Sequence, residues 1–304
     1  SLPSHVTLPH KEGAPDYTRP GQFAAILGPR HDPLFVEGTR EAPLDFTVPA
    51  LSLRGDISVS RLLDRRGLAS ALDREVFARE LRAGDPHEDR AYQLLASRGT
   101  RSAFDLRQEP QAVRDSYGPG INAMSMLLAR RLVEAGVGFV TVFWKGDKEL
   151  DKLCKSGGGW DTHGNNFNCL KDRLLPEFDK PFAALLDDLH QRGLLDSTLV
   201  MVSSEMGRKP RIGDPRSGGK NGAGRDHWTA LMSVLMAGGG IRGGSVYGSS
   251  DPRAEYPLDN PVGPEDIART VFRQLGIDDV THTDREGRIF QLLDGGEVLA
   301  PIIG

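Results

Sequence analysis

The sequence predicts an α/β fold, a mainly parallel sheet flanked by helices, with a helical section and one antiparallel strand near the C-terminus. Three observations carry this. The run 137–144 is apolar at almost every position, the pattern of a parallel strand covered on both faces. Over 167–192 apolar residues recur at spacings of three and four, the helical period. A second short apolar strand follows at 198–203.

The 304 residues are expected to form a single α/β domain over 1–304, with 58–136 as a helical section within it. Hydrophobic residues at 38% and charged residues at 26% suffice for an ordinary globular core. A net charge of -4 leaves no footprint for nucleic acid or an acidic membrane. No apolar run approaches the ~20 residues of a membrane span. The chain opens on Ser1-Leu2-Pro3-Ser4 without a signal peptide and reads as the middle of something longer, so an N-terminal part is expected to be missing.

In chain order, 4–8 is a short buried strand closed by Pro9. The Pro- and Gly-rich stretch 10–52 is mostly loop with one short helix, and its His10 and His31 are taken as surface residues. Within 58–136, Val59, Leu62 and Leu63, then Leu72, Val76, Phe77 and Leu81, keep the helical period. Asp85-Pro86 opens another helix carrying Tyr92, Leu94 and Leu95. The last begins at Pro119-Gly120, puts Ile121, Met124, Leu127, Leu128, Leu132 and Val133 on one face, and stops at Gly136.

After the strand 137–144, residues 145–159 are a polar excursion. The helix 167–192 turns Leu170, Leu174, Leu175, Phe178, Phe182, Leu185, Leu186 and Leu189 inward, and Pro176 and Pro181 should kink or break it. Residues 205–228 lack apolar periodicity, whereas a parallel crossover needs about a dozen residues that pack on a sheet. The strand 230–236 should therefore return antiparallel to 198–203, leaving Glu205 and His227 at one edge. Pro264 opens a final helix that Gly276 ends. A bridge between Cys154 and Cys169 is geometrically open, but two cysteines in a chain this long are expected as free thiols.

The chemistry gathers at three segments. Asp161 and His163 are two apart, so in extended backbone both side chains leave on one side. Glu205 follows one strand, and Asp226 and His227 precede the next. Ligands of open α/β sheets bind beyond the carboxyl ends of the strands, where these segments are expected to meet. Carboxylates and imidazoles together suit a borderline divalent metal, zinc or manganese. The loop residues Arg208, Lys209, Arg211, Arg216, Lys220 and Arg225 either form a solvated charged surface or grip an anionic group. Trp160 and Trp228 are expected to pack beside the site.

These residues also carry a resemblance. Trp160-Asp161-Thr162-His163-Gly164-Asn165-Asn166-Phe167, Glu205-Met206-Gly207-Arg208-Lys209-Pro210-Arg211-Ile212, Gly224-Arg225-Asp226-His227-Trp228 and Ala237-Gly238-Gly239-Gly240-Ile241-Arg242-Gly243-Gly244 are similar to the sulfatase-like family called domain of unknown function 1501. The likeness runs from about Leu2 to the end. It implies an alkaline-phosphatase-like fold and metal-dependent hydrolysis of phosphate or sulfate esters, with a small anionic ester as substrate. By that resemblance Asp161, His163, Glu205 and His227 are ligands of one or two metal ions. Asp226 stands in reserve, and Arg208, Arg225 and Asn165 are expected to hold the anion. The family's early acidic ligand and Gly-Gly-Pro-Ser-type turn are not in the sequence, and no Ser or Thr is assigned as nucleophile. Association with a missing N-terminal segment and an exported or periplasmic location are further implications. The competing expectation is a non-catalytic relative that binds a metal or an anion.

Overall fold

The computed structural model describes residues 3–14, 17–48, 61, 64, 102–154, 158–213, 224–278, 281–284, 286–293 and 295–304. They fall into two compact units, Ser1–Trp144 and Lys145–Gly304. The first two helices expected within 58–136, together with Arg216 and Lys220, lie outside the described residues.

In the first unit His5–Leu8 (β1) is the middle of a three-stranded parallel sheet. Val6, Thr7 and Leu8 are all buried, as expected of a strand covered on both faces. Two short antiparallel ladders, Gly13–Ala14 (β2) with Tyr17–Thr18 (β3) and Glu37–Gly38 (β5) with Phe46–Thr47 (β6), precede and follow Leu34–Phe35 (β4) in the chain. β4 pairs with β1 in the register Val6↔Leu34. The apolar island at 34–36, expected as loop, is thus a sheet strand. The expected short helix is a pair of 3-10 turns, Ala25–Leu27 and Pro29–His31.

Gln111–Tyr117 (α1) leads into Ile121–Glu134 (α2), the helix expected after Pro119-Gly120. Ile121, Met124, Leu127, Leu128 and Leu132 are buried on it, as the sequence spacing requires. So is Arg130, whose guanidinium lies 2.9 Å from Glu109 and 2.6 Å from Glu134. Phe139–Val142 (β7) completes the sheet, in register His5↔Phe139. Phe139 is 45% exposed, so β7 is not covered throughout as its apolar run implied.

The second unit opens with Lys148–Cys154 (α3), a helix within the stretch expected as a polar excursion. Asn166–Cys169 (α4), a π turn at Leu170–Leu174 and Leu175–Gln191 (α5) form the long helix. Pro176 sits at the second position of α5, just after the π turn, and α5 continues through Pro181. A proline cannot donate to the preceding turn, so the backbone widens rather than breaks. Leu175, expected inside, is 43% exposed, while Leu174, Leu185 and Leu189 are buried.

Cys154 and Cys169 form a disulfide, with Cα atoms 6.0 Å apart, which corrects the expectation of free thiols. Both are buried, and the bridge closes a loop around the Trp160 segment. The compact route from α3 back to α4 brings the two residues together, a proximity that spacing alone did not disclose.

Val200–Val202 (β8) precedes Gly207–Arg208 (β9), His227–Trp228 (β10) and Leu235–Ala237 (β11). β11 returns antiparallel to β8 in the register Met236↔Met201, the direction anticipated, although the strand is Leu235–Ala237 rather than 230–236. Gly239 makes the sharp exit possible: its φ is +53°, and a Cβ there would lie 2.7 Å from the Leu199 backbone nitrogen. Ser249–Ser250 (β12) with Pro257–Asp259 (β13), Pro264–Gln274 (α6), and Thr281–Thr283 (β14) with Ile289–Gln291 (β15) complete the unit.

The chain is thus α/β. Among the described residues parallel pairing is confined to β4-β1-β7, and the remaining ladders are short and antiparallel. No helix among the described residues is long and apolar enough to cross a membrane.

Candidate metal centre

The site is built from the loop before α4 and the β9–β10 ladder. The loop is fastened at several points. Thr162 and Asn166 are both buried, and the Asn166 amide donates to the Thr162 hydroxyl at 2.5 Å. Gly164 N–H donates to the Cys154 carbonyl at 3.0 Å, beside the disulfide. Asn165 takes a left-handed backbone, φ 55°, which asparagine tolerates better than most residues. Trp160 packs edge-on against Phe178 of α5, with centroids 6.1 Å apart.

The ladder supplies the other side. Arg208 pairs with His227 and Gly207 with Trp228 in an antiparallel register, so Arg208 and His227 are direct cross-strand neighbours. Gly207 admits no side chain here, because a Cβ would fall 2.0 Å from the Leu231 carbonyl oxygen. Trp228 turns away, its indole N–H donating to the Glu255 carbonyl at 2.6 Å and its ring meeting Tyr256.

The two parts meet at one oxygen. Asp161 Oδ1 lies 2.7 Å from His227 Nε2, 2.7 Å from Arg208 Nη2 and 3.0 Å from His163 Nε2. The imidazoles lean on each other, with centroids 4.9 Å apart. Burial acts to raise the Asp161 carboxyl pKa, but hydrogen bonds from His227 and Arg208, and the charges of His163 and Arg208, outweigh it. The net result is a carboxyl held below its ordinary value, ionised at neutral pH.

Asp161, His163 and His227 are a possible metal site, each offering one ligand atom with all three inside 4.8 Å of one another. The donor chemistry fits a borderline cation. At metal bonds of about 2.0–2.1 Å, tetrahedral ligand atoms stand roughly 3.3 Å apart. The two Asp161–imidazole separations, 2.7 and 3.0 Å, are shorter than that, so the side chains must part for an ion to enter. Three protein ligands would leave one position of a tetrahedral ion open.

The remaining sequence candidates lie as follows. Glu205 is exposed and outside that group of three. Asp226 accepts from the His227 backbone N–H at 2.9 Å and faces the Lys209 ammonium at 3.8 Å. The Asn165 side chain accepts from Asn168 at 2.8 Å. Arg208 spans the site, donating to Asp161, to the Trp160 carbonyl at 3.2 Å and to the Arg225 carbonyl at 3.3 Å. Arg225 donates to the Lys209 and Arg208 carbonyls at 2.6 and 3.0 Å. Burial first, and then the Arg208 charge, push the Arg225 pKa down, although a guanidinium remains charged.

Sequence reasoning missed the cleft beside these arginines. It has a volume of about 250 Å³, and Ser204, Met206, Leu231, Met232 and Ser233 line it with Arg208 and Arg225. A short apolar-polar run after a charged loop carries no periodic signal that would have found it.

The model of a family described as protein of unknown function (DUF1501) matches residues 1–303. No curated protein and no solved structure matches the chain.

Proposed function

The chain belongs to the DUF1501 family, and from that premise we propose a metal-dependent hydrolase of phosphate or sulfate esters, on the alkaline-phosphatase-like plan its motifs resemble. One observation carries the reading: a carboxylate oxygen and two imidazole nitrogens, from segments far apart in sequence, converge within 4.8 Å. Asp161, His163 and His227 would hold zinc or manganese, with Glu205 and Asp226 outside that group. An ion bound there supplies Lewis acidity toward an ester oxygen and acidifies a bound water.

The chain's own residues do the rest. Asp161 fixes both imidazoles, and the β9–β10 register fixes His227 against Arg208. Arg208 and Arg225 offer forked donors to the anionic oxygens of the ester. No hydroxyl of the chain is assigned as nucleophile. The buried Cys154–Cys169 bridge supports an exported or periplasmic location, because such bridges persist in oxidising compartments.

A second reading, a non-catalytic metal- or anion-binding relative, is favoured by the closed state of Asp161, whose Oδ1 already receives Arg208 and His227. Cleavage of phenyl phosphate and phenyl sulfate separates the two. Chelator-treated protein should be inactive and regain turnover with zinc or manganese. Absence of turnover on both esters after reloading would favour the second reading.

A further inference from the structure

The cleft beside the candidate metal centre has a chemistry of its own. Arg225 carries five N–H donors, and among the described residues two of them go to the Lys209 and Arg208 carbonyls, which leaves three. Among the described residues no carboxylate pairs with it, while a second guanidinium, Arg208, stands near enough to oppose its charge. The described lining holds two cations and no Asp or Glu, which disfavours amines and quaternary ammonium groups.

The rest of the lining is mixed. Met206, Leu231, Met232 and Ala254 are its aliphatic lining. Ser204 donates its hydroxyl to the Met206 carbonyl at 2.9 Å and keeps its lone pairs as acceptors. Ser233 is exposed and makes no side-chain hydrogen bond among the described residues, so its hydroxyl both donates and accepts. The volume equals roughly eight water-sized groups. A tetrahedral oxyanion and an alcohol of about three or four carbons fill that space.

We propose that this cleft is the substrate's alcohol subsite, with Arg225 anchoring the oxyanion and Ser233 reading a hydroxyl, so that the preferred substrate is the monoester of a small uncharged polyol. The assignment rests on the ester-hydrolase reading for its role, but the binding itself needs no metal. Arg208 lines the cleft and also donates to Asp161, so it joins cleft and metal centre.

The test is calorimetric titration of the chelator-treated protein with inorganic phosphate, glycerol 1-phosphate and phosphocholine. Glycerol 1-phosphate should bind at least tenfold more tightly than phosphate, and phosphocholine more weakly than glycerol 1-phosphate. Arg225→Gln should weaken all three by tenfold or more, and Arg225→Lys should restore part of the loss if the fold is intact. Ser233→Ala, at an exposed position, should weaken only glycerol 1-phosphate, by three- to tenfold. Equal affinity for phosphate and glycerol 1-phosphate, or an equal effect of Ser233→Ala on both, overturns the subsite. Selective binding in a protein that takes up no metal keeps the subsite and removes the hydrolase reading. Metal uptake without selectivity does the reverse.

Discussion

Arg208 and His227 face each other across a two-residue antiparallel ladder, and both end on the same oxygen of Asp161 at 2.7 Å. A guanidinium and an imidazole compete for one carboxylate lone-pair region. The competition makes the arrangement both a stable hydrogen-bonded cluster and a ligand set from which an ion can displace protons.

Arg208→Lys should cost about 1–2 kcal/mol of stability, because a point charge cannot bridge Asp161 and two backbone carbonyls as a planar fork does. Urea unfolding of the metal-free protein would measure it. Stability equal to that of the parent would mean that the bridge is energetically idle.

Gly207→Ala should destabilise by about 1–3 kcal/mol. Its Cβ would meet the Leu231 carbonyl oxygen at 2.0 Å, and the obstacle is backbone rather than the end of a flexible side chain. The ladder must shift and take Arg208 with it, so anion affinity should fall along with the melting temperature.

Glu109 should give the first unit an acid-sensitive stability. Burial raises its carboxyl pKa, but hydrogen bonds and charge from Arg130 and Arg131 overcome this and hold it below the ordinary carboxylate value. A depressed folded pKa contributes stability that is complete above the unfolded value, about 4.3, and is lost as pH falls through the folded value. Glu109→Gln should therefore cost about 3 kcal/mol near neutrality, and the gap to the parent should narrow toward pH 3. A gap independent of pH would contradict the ion-pair account.

Replacing both Cys154 and Cys169 by Ala should cost about 2–3 kcal/mol through the loop that the bridge closes. The same loop carries Asp161 and His163, so metal affinity should weaken as well. Retention of full affinity would assign the loop's order to Thr162 and Asn166 alone.

Much of the site was legible from residue type and spacing. Asp161 and His163 were marked by their two-residue spacing, and the loop without apolar periodicity led to the antiparallel return of β11 onto β8. What the sequence could not convey was pairing at a distance. Nothing local distinguishes Arg208 as the partner of Asp161 from any other arginine in a charged loop. Gly207 reads as a flexible residue, yet its role is to let a backbone pass where no Cβ fits. The Cys154–Cys169 bridge depends on where α3 ends relative to α4. Glu205 was placed by strand logic that fixed an edge but not the direction of a side chain.

Metal content, measured by plasma mass spectrometry on protein refilled with zinc or manganese, tests the central claim most directly. Asp161→Ala, His163→Ala and His227→Ala should each lose the bound ion, whereas Glu205→Ala, outside the converging group, should keep it. Unchanged metal content in the first three variants would contradict the account.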